Sequence, residues 1–306
     1  MKYLLFVGSR VGYEALRIFI ESNCILAHVF IEKEHSHEHV KYYEESIKLC
    51  ESNNVSYNLN ATSTIINGLI DNEITFDYII SFGYRKMIAD NVINAAKIAA
   101  LGTHFSPLPR YRGFAPLNWL LINGEKMTAV NLFYLGSEVD SGDIIEKMQV
   151  NIDDNDDIND LMENCVITLK KLLIKVIPSL EDHSFVAQKQ DNTKATFTCA
   201  RNPEDGIIKW EKDSTSVYNL VRALTYPYPG AFTYYNGKRI AIWSCEVYDI
   251  PVYEGVVPGK VIKIIRGKGV VVLCSQGAVL IRKIQVENEN SVIADDVIKS
   301  IRATLG

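Results

Sequence analysis

The sequence predicts an α/β fold: an open, Rossmann-like, largely parallel sheet with helices on both faces, followed by a small antiparallel β domain. Three observations predict it. Short apolar runs at residues 3–7, 25–31, 76–82 and 98–101 are too brief for helices and rich in branched residues, as strands buried on both faces are. Between them, residues 12–21, 39–52 and 64–70 carry apolar side chains at helical spacing. Beyond residue 200 the period changes to alternation, with glycine-bearing turns.

The elements follow in order. The first strand runs into Gly8-Ser9-Arg10-Val11-Gly12, which lacks the Gly-x-Gly-x-x-Gly spacing of a dinucleotide loop. A plain strand-to-helix turn is the reading. The second strand leads to His35, His37 and His39, with no further Cys or His clustered in sequence to complete a zinc site. They read as a solvated loop entering a helix, and no metal is expected. The strands at 76–82 and 98–101 bring the sheet's carboxyl edge to His104, where ligands of such sheets collect. The acidic run from Asp153 to Asp160 is read as a helix start rather than a metal site. Asp156 or Asp157 would cap a long helix carrying Ile158, Leu161, Met162, Cys165, Leu169, Leu172, Leu173 and Val176. After Pro178 and the polar stretch 181–195 the pattern changes. The alternating runs at 239–243, 261–265, 270–273 and 278–284 form the β domain. The expected domains are residues 1–200 and 201–306.

Composition narrows the function classes. A chain of 306 residues suits two ordinary domains, and 47% apolar with 23% charged residues is globular composition. A net charge of −5 argues against a nucleic-acid surface over the whole molecule, and residues 203–306 are too nearly charge-balanced to form a phosphate track. The six cysteines are scattered without Cys-x-x-Cys spacing, as expected of reduced thiols. The apolar run at 3–7 is too short for a signal core or a membrane span. A cytoplasmic protein without a membrane or nucleic-acid partner is expected.

One stretch carries the chemistry. From Leu101 to Lys147 the chain reads LGTHFSPLPRYRGFAPLNWLLINGEKMTAVNLFYLGSEVDSGDIIEK. His104 ends an apolar run and precedes a proline-rich loop holding Tyr111, Arg112 and Gly113, the setting of a pocket rim. Further on comes Val139-Asp140-Ser141-Gly142-Asp143. This block resembles the active-site segment of the 10-formyltetrahydrofolate-dependent formyltransferases. That family shows Asn-x-His-x-Ser-Leu-Leu-Pro, then Arg-Gly, a Gly-Val-Thr strand and Asp-x-Gly. The likeness extends to Phe82-Gly83-Tyr84-Arg85-Lys86-Met87-Ile88, to Arg201-Asn202-Pro203-Glu204-Asp205, to Val221-Arg222-Ala223 and to Pro227-Tyr228-Pro229-Gly230-Ala231-Phe232. It is nearest the sugar-nucleotide branch, in particular the domain that formylates UDP-4-amino-4-deoxy-L-arabinose.

The resemblance implies a Rossmann-like catalytic domain, an OB-like C-terminal domain, and formyl transfer from 10-formyltetrahydrofolate to the amine of a nucleotide-linked sugar. It implies His104 and Asp140 as the catalytic pair. Lys86, Met87 and Ile88, with Phe114, Gly136, Ser137, Glu138, Val139 and Asp140, would surround the folate. Asn118 would touch the acceptor, and a homodimer is compatible. Two positions depart: Gly102 stands where the family has Asn, and Phe114 where the nearest branch has Arg. The chemistry explains why the first matters. A neutral amine attacks the formyl carbon, an oxyanion forms, and a proton must leave. An imidazole beside a carboxylate suits the proton transfer, and an amide N–H suits the oxyanion. Asn131, at the family's Thr position, is a candidate replacement donor, with an Asn simply packed at a strand end as the equal alternative. Methionyl-tRNA as acceptor, a non-catalytic relative, and transfer of another acyl group are the alternatives.

Overall fold

The computed structural model describes residues 1–34, 40–59, 61, 65, 66, 68, 69 and 74–306. His35, His37, His39 and part of the 64–70 stretch lie outside these. In chain order the elements are β1 Lys2–Val7, α1 Ser9–Glu21, β2 Ile25–Ile31, α2 Tyr42–Ser52, β3 Tyr57–Asn58, β4 Phe76–Phe82, α3 Asp90–Ile93, β5 Ala96–His104 and β6 Arg112–Gly113. Then come α4 Pro116–Ile122, β7 Met127–Tyr134, β8 Ile144–Asn151, α5 Ile158–Asp182, β9 Phe197–Thr198 and α6 Ser214–Leu224. The chain ends with β10 Ala231–Tyr235, β11 Lys238–Tyr248, β12 Val261–Ile265, β13 Gly269–Leu273, β14 Ala278–Val286, β15 Ser291–Ile293 and α7 Ala294–Val297.

Two compact units result. The first is Met1–Gly113, Met127–Asn151 and Glu163–Thr198; the second is Phe114–Lys126, Ile152–Met162 and Cys199–Gly306. A single cut near residue 200 was the sequence expectation, yet two early segments group with the C-terminal residues. Long-range hydrogen bonds are the reason. In the second unit Asn118 donates to the Ala223 carbonyl, and the Arg222 guanidinium holds the carbonyls of Asp153 and Asp156.

The first unit is built on a seven-stranded sheet in the order β3-β2-β1-β4-β5-β7-β8. The first five are mutually parallel, β7 runs antiparallel to them and β8 antiparallel to β7, so the sheet is largely parallel as expected. Both faces are covered. Leu4 and Phe6 of β1 pack with Phe30, Ile66, Ile79 and Val92 on one side. Tyr3 of the same strand meets Phe19 of α1 edge-on at 5.1 Å on the other. The chain winds outward from β1 to β3, then returns beside β1 as β4, which leaves a topological switch between them.

Helix α5 starts where the acids predicted it. Asp157 caps through its Oδ1 to the backbone N–H groups of Asn159 and Asp160, and Asp160 reaches back to the N–H of Asp157. The helix runs through Pro178 to Asp182. Its last turn is pinned from the sheet, by Tyr78 donating to the Leu180 carbonyl and Tyr3 to Glu181. Those contacts offset the missing proline N–H. No described helix is long and apolar enough to cross a membrane.

The second unit holds an antiparallel sheet in the order β10-β11-β14-β13-β12, with β15 on β14. Register shifts between β11 and β14 near Ser244 bend the long strands. Its quoted motifs are structural: Asp205 accepts from the Asn202 N–H in a capping box, and Trp210 donates to Thr233. Arg201 lies over the Trp119 ring at 4.7 Å.

Candidate active site

Strand β5 extends three residues beyond the expected run because Gly102, Thr103 and His104 pair with Phe133, Leu132 and Asn131 of β7. His104 is thereby fixed at the carboxyl end of the parallel strands, 9% exposed. Its Nε2 lies 2.8 Å from the Tyr111 carbonyl oxygen. A carbonyl only accepts, so Nε2 carries the hydrogen and Nδ1 is the nitrogen left for chemistry. Tyr111 aims that carbonyl from a left-handed backbone at φ 60°.

Nδ1 faces Asp140, whose Oδ2 stands 3.5 Å away. The register of β7 and β8 places their connection opposite Leu101, and it folds back along the sheet until Asp140 reaches His104. Asp140 has φ 50°, an uncommon conformation for a side-chain-bearing residue. Its Oδ2 also accepts from the Gly113 N–H at 2.8 Å. Gly113 has φ 102°, and a Cβ there would sit 2.7 Å from the Thr198 carbonyl oxygen, so only glycine brings that N–H to the carboxylate.

Of the two readings of Asn131, its hydrogen bonds favour the packed residue over the oxyanion donor. It is fully buried, and Nδ2 donates to the carbonyls of His104 at 2.9 Å and Ser106 at 2.7 Å. Both N–H groups are committed, and the side chain instead straps down the loop after β5. Lys147, beside Asn131 in the register, adds a second strap through Nζ to the Leu108 carbonyl at 2.8 Å. Desolvation lowers the pKa of that ammonium.

Gly102 points to the same sheet face as His104, two residues back along the strand. Its backbone is not left-handed; the obstacle to a side chain is Leu135, whose Cδ2 would lie 2.7 Å from a Cβ at 102. A leucine tip thus fills the place of the family's Asn.

Lys86, Met87 and Ile88 follow β4, and because Ser81 pairs with Gly102 this loop leaves the sheet beside His104. Lys86 and Met87 are exposed, while Ile88 packs against the core and the Arg85 N–H is tied to Glu32 at 2.8 Å. Gly136, Ser137, Glu138 and Val139 are exposed in the loop that ends at Asp140. The structure therefore gathers His104, Asp140, Gly102 and these two loops around one end of one sheet. Asn118 and Phe114 belong to the second unit. Asn118 is 2% exposed with its amide on the Ala223 carbonyl, and Phe114 is exposed. The roles of the Tyr111 carbonyl, the Gly113 N–H and Leu135 had no sequence signal, since each depends on a backbone conformation or a pairing register.

A family model for formyl transferases matches residues 25–177, half of the chain, and one for the formyl transferase C-terminal domain matches residues 201–302. Among solved structures, the chain is similar to WlaRD, a sugar 3N-formyl transferase in the presence of dTDP and 5-N-formyl-THF. The identity is 19% and the TM-score 0.69, over 95% of this chain and 99% of that one. It is similar also to an N-formyltransferase from Helicobacter canadensis, in complex with folinic acid and dTDP-3-aminofucose. Here the identity is 17% and the TM-score 0.70, over 92% and 98%. HypX from Aquifex aeolicus matches at 17% identity and TM-score 0.65 over 97% of this chain; the chain spans about half the length of HypX, 47%.

Proposed function

The chain belongs to the formyl transferase family, and on that premise we propose that it moves a formyl group from 10-formyltetrahydrofolate to the amine of a nucleotide-linked sugar. The observation that carries the reading is the His104–Asp140 pair, with the His104 tautomer set by Tyr111. In this reading the sugar amine attacks the formyl carbon as the neutral base, and a carbon–nitrogen bond forms. His104 Nδ1 takes the proton the new bond releases, and Asp140 stabilises the imidazolium. The carbonyl electrons return as the bond to folate N10 breaks, and N10 leaves with that proton. The 3.5 Å gap is longer than a hydrogen bond, as is common in active sites before substrate arrives. Lys86, Met87 and Ile88 would hold the pterin through backbone groups, with Gly136, Ser137, Glu138 and Val139 closing the other side.

The acceptor class rests on the likeness to the two sugar formyltransferases and on the acidic charge balance. A panel of nucleotide amino sugars incubated with 10-formyltetrahydrofolate and read by mass tests it. One member should gain a single formyl group. Formylation of methionyl-tRNA, with binding that collapses steeply as salt is added, would reverse the assignment.

With no side-chain amide at Gly102 and none free on Asn131, oxyanion stabilisation falls to the protonated imidazole and to main-chain N–H groups. Restoring the amide should therefore help. Gly102→Asn alone is expected to lower the melting temperature, because Leu135 is in the way. Combined with Leu135→Ala it should fold normally and turn over about 100-fold faster than Leu135→Ala alone. A well-folded double variant without that gain would show that main-chain donors already suffice.

A further inference from the structure

We propose that Gln190 is a positioning residue for Asp140, its amide linking the buried Arg112 guanidinium to the backbone of the Asp140–Gly142 turn. The inference rests on the reading of Asp140 as the carboxylate partner of His104. Gln190 is 9% exposed and its amide is fully used. Nε2 donates to the Asp140 carbonyl at 2.9 Å and to the Gly142 carbonyl at 2.7 Å. Oε1 accepts from Arg112, from Nη2 at 2.8 Å and Nε at 3.3 Å.

Both ends of this link are anchored. Arg112 is 2% exposed, and its Nη2 also reaches Asn192 Oδ1 at 2.7 Å. Its strand β6 pairs with β9. The Gln190 backbone is held two residues earlier by the bridge between Gln188 and Ile144. One residue later, Asp191 caps a tight turn through the Thr193 N–H. Asp140, by contrast, sits in a left-handed conformation that is uncommon for a non-glycine residue. Two carbonyls flanking Ser141 and drawn to one amide nitrogen fix the path of that turn. The Gly113 N–H, next in chain to Arg112, then fixes the carboxylate itself at 2.8 Å. Arg112 and its neighbour thus hold Asp140 by backbone and by side chain at once.

The amide is required for its two different ends. A glutamate at 190 would suit Arg112 better but would turn a carboxylate oxygen against two carbonyl oxygens. Gln190→Glu therefore separates stability from positioning, and Gln190→Met, which removes both ends, is the second variant. Gln190→Glu is expected to keep a melting temperature within about 3 °C of wild type. Both variants should lose about 100-fold in kcat with KM for each substrate changed less than about three-fold. Backbone hydrogen exchange of residues 136–143 should accelerate about ten-fold or more, with residues 96–104 unchanged. Folded variants with wild-type exchange in the turn would overturn the proposal. So would faster exchange with kcat intact. A wild-type protein inactive on every acceptor would refute the functional reading instead, and exchange alone would then decide whether Gln190 holds Asp140.

Discussion

His104→Ala is expected to lower turnover about a thousand-fold while folate affinity changes by less than about three-fold. The imidazole can take and return a proton, and its free nitrogen faces the Asp140 carboxylate. Removing it also deletes the hydrogen bond to the Tyr111 carbonyl, a stability loss of about 1 kcal/mol. His104→Gln is therefore the companion variant, since an amide can still donate to that carbonyl but cannot act as a base. Asp140→Asn should fall by a comparable factor without unfolding, because a side-chain oxygen remains to accept from the Gly113 N–H. The two residues act as one unit, so the double variant should be little worse than the worse single one. Steady-state turnover and calorimetry with 5-formyltetrahydrofolate check this. Near-normal turnover in either single variant removes that residue from the mechanism.

Asn131→Ala is expected to cost stability first, by about 1–3 kcal/mol. The carbonyls of His104 and Ser106 each lose a side-chain donor, worth about 1 kcal/mol apiece, and Ser106 keeps the Leu108 N–H. Urea denaturation reads this directly, and about 2 kcal/mol is a large part of a domain's stability. Turnover in the folded fraction should fall less than in the His104 variants, because the loop after β5 loosens while the reacting groups remain. A variant as stable as wild type but about 100-fold slower would return the oxyanion role to Asn131.

Local pattern was a sufficient guide wherever a segment's neighbours in sequence are also its neighbours in space. The limits of β2, β4 and β12 follow from their apolar runs, because a buried strand shows its composition wherever it pairs. The start of α5 follows from Asp157 and Asp160, because a cap is closed within one turn. What holds its last turn did not, since Tyr3 and Tyr78 reach it from across the sheet. Nor did the last three residues of β5, which are strand only because β7 pairs with them.

The site divides along the same line. By itself the sequence determined the fold class and the family, and it singled out His104 and Asp140 as the pair proposed for proton transfer. Tertiary structure alone decided which His104 nitrogen is free, that Asn131 is a strap rather than a donor, and that Leu135 fills the space beside Gly102. It also brought Gln190 and Arg112 to the Asp140 turn. Each of these rests on a hydrogen bond or a van der Waals contact between segments distant in the chain. Such contacts are set by strand register and by left-handed residues such as Tyr111 and Asp140, and residue type at a single position encodes neither.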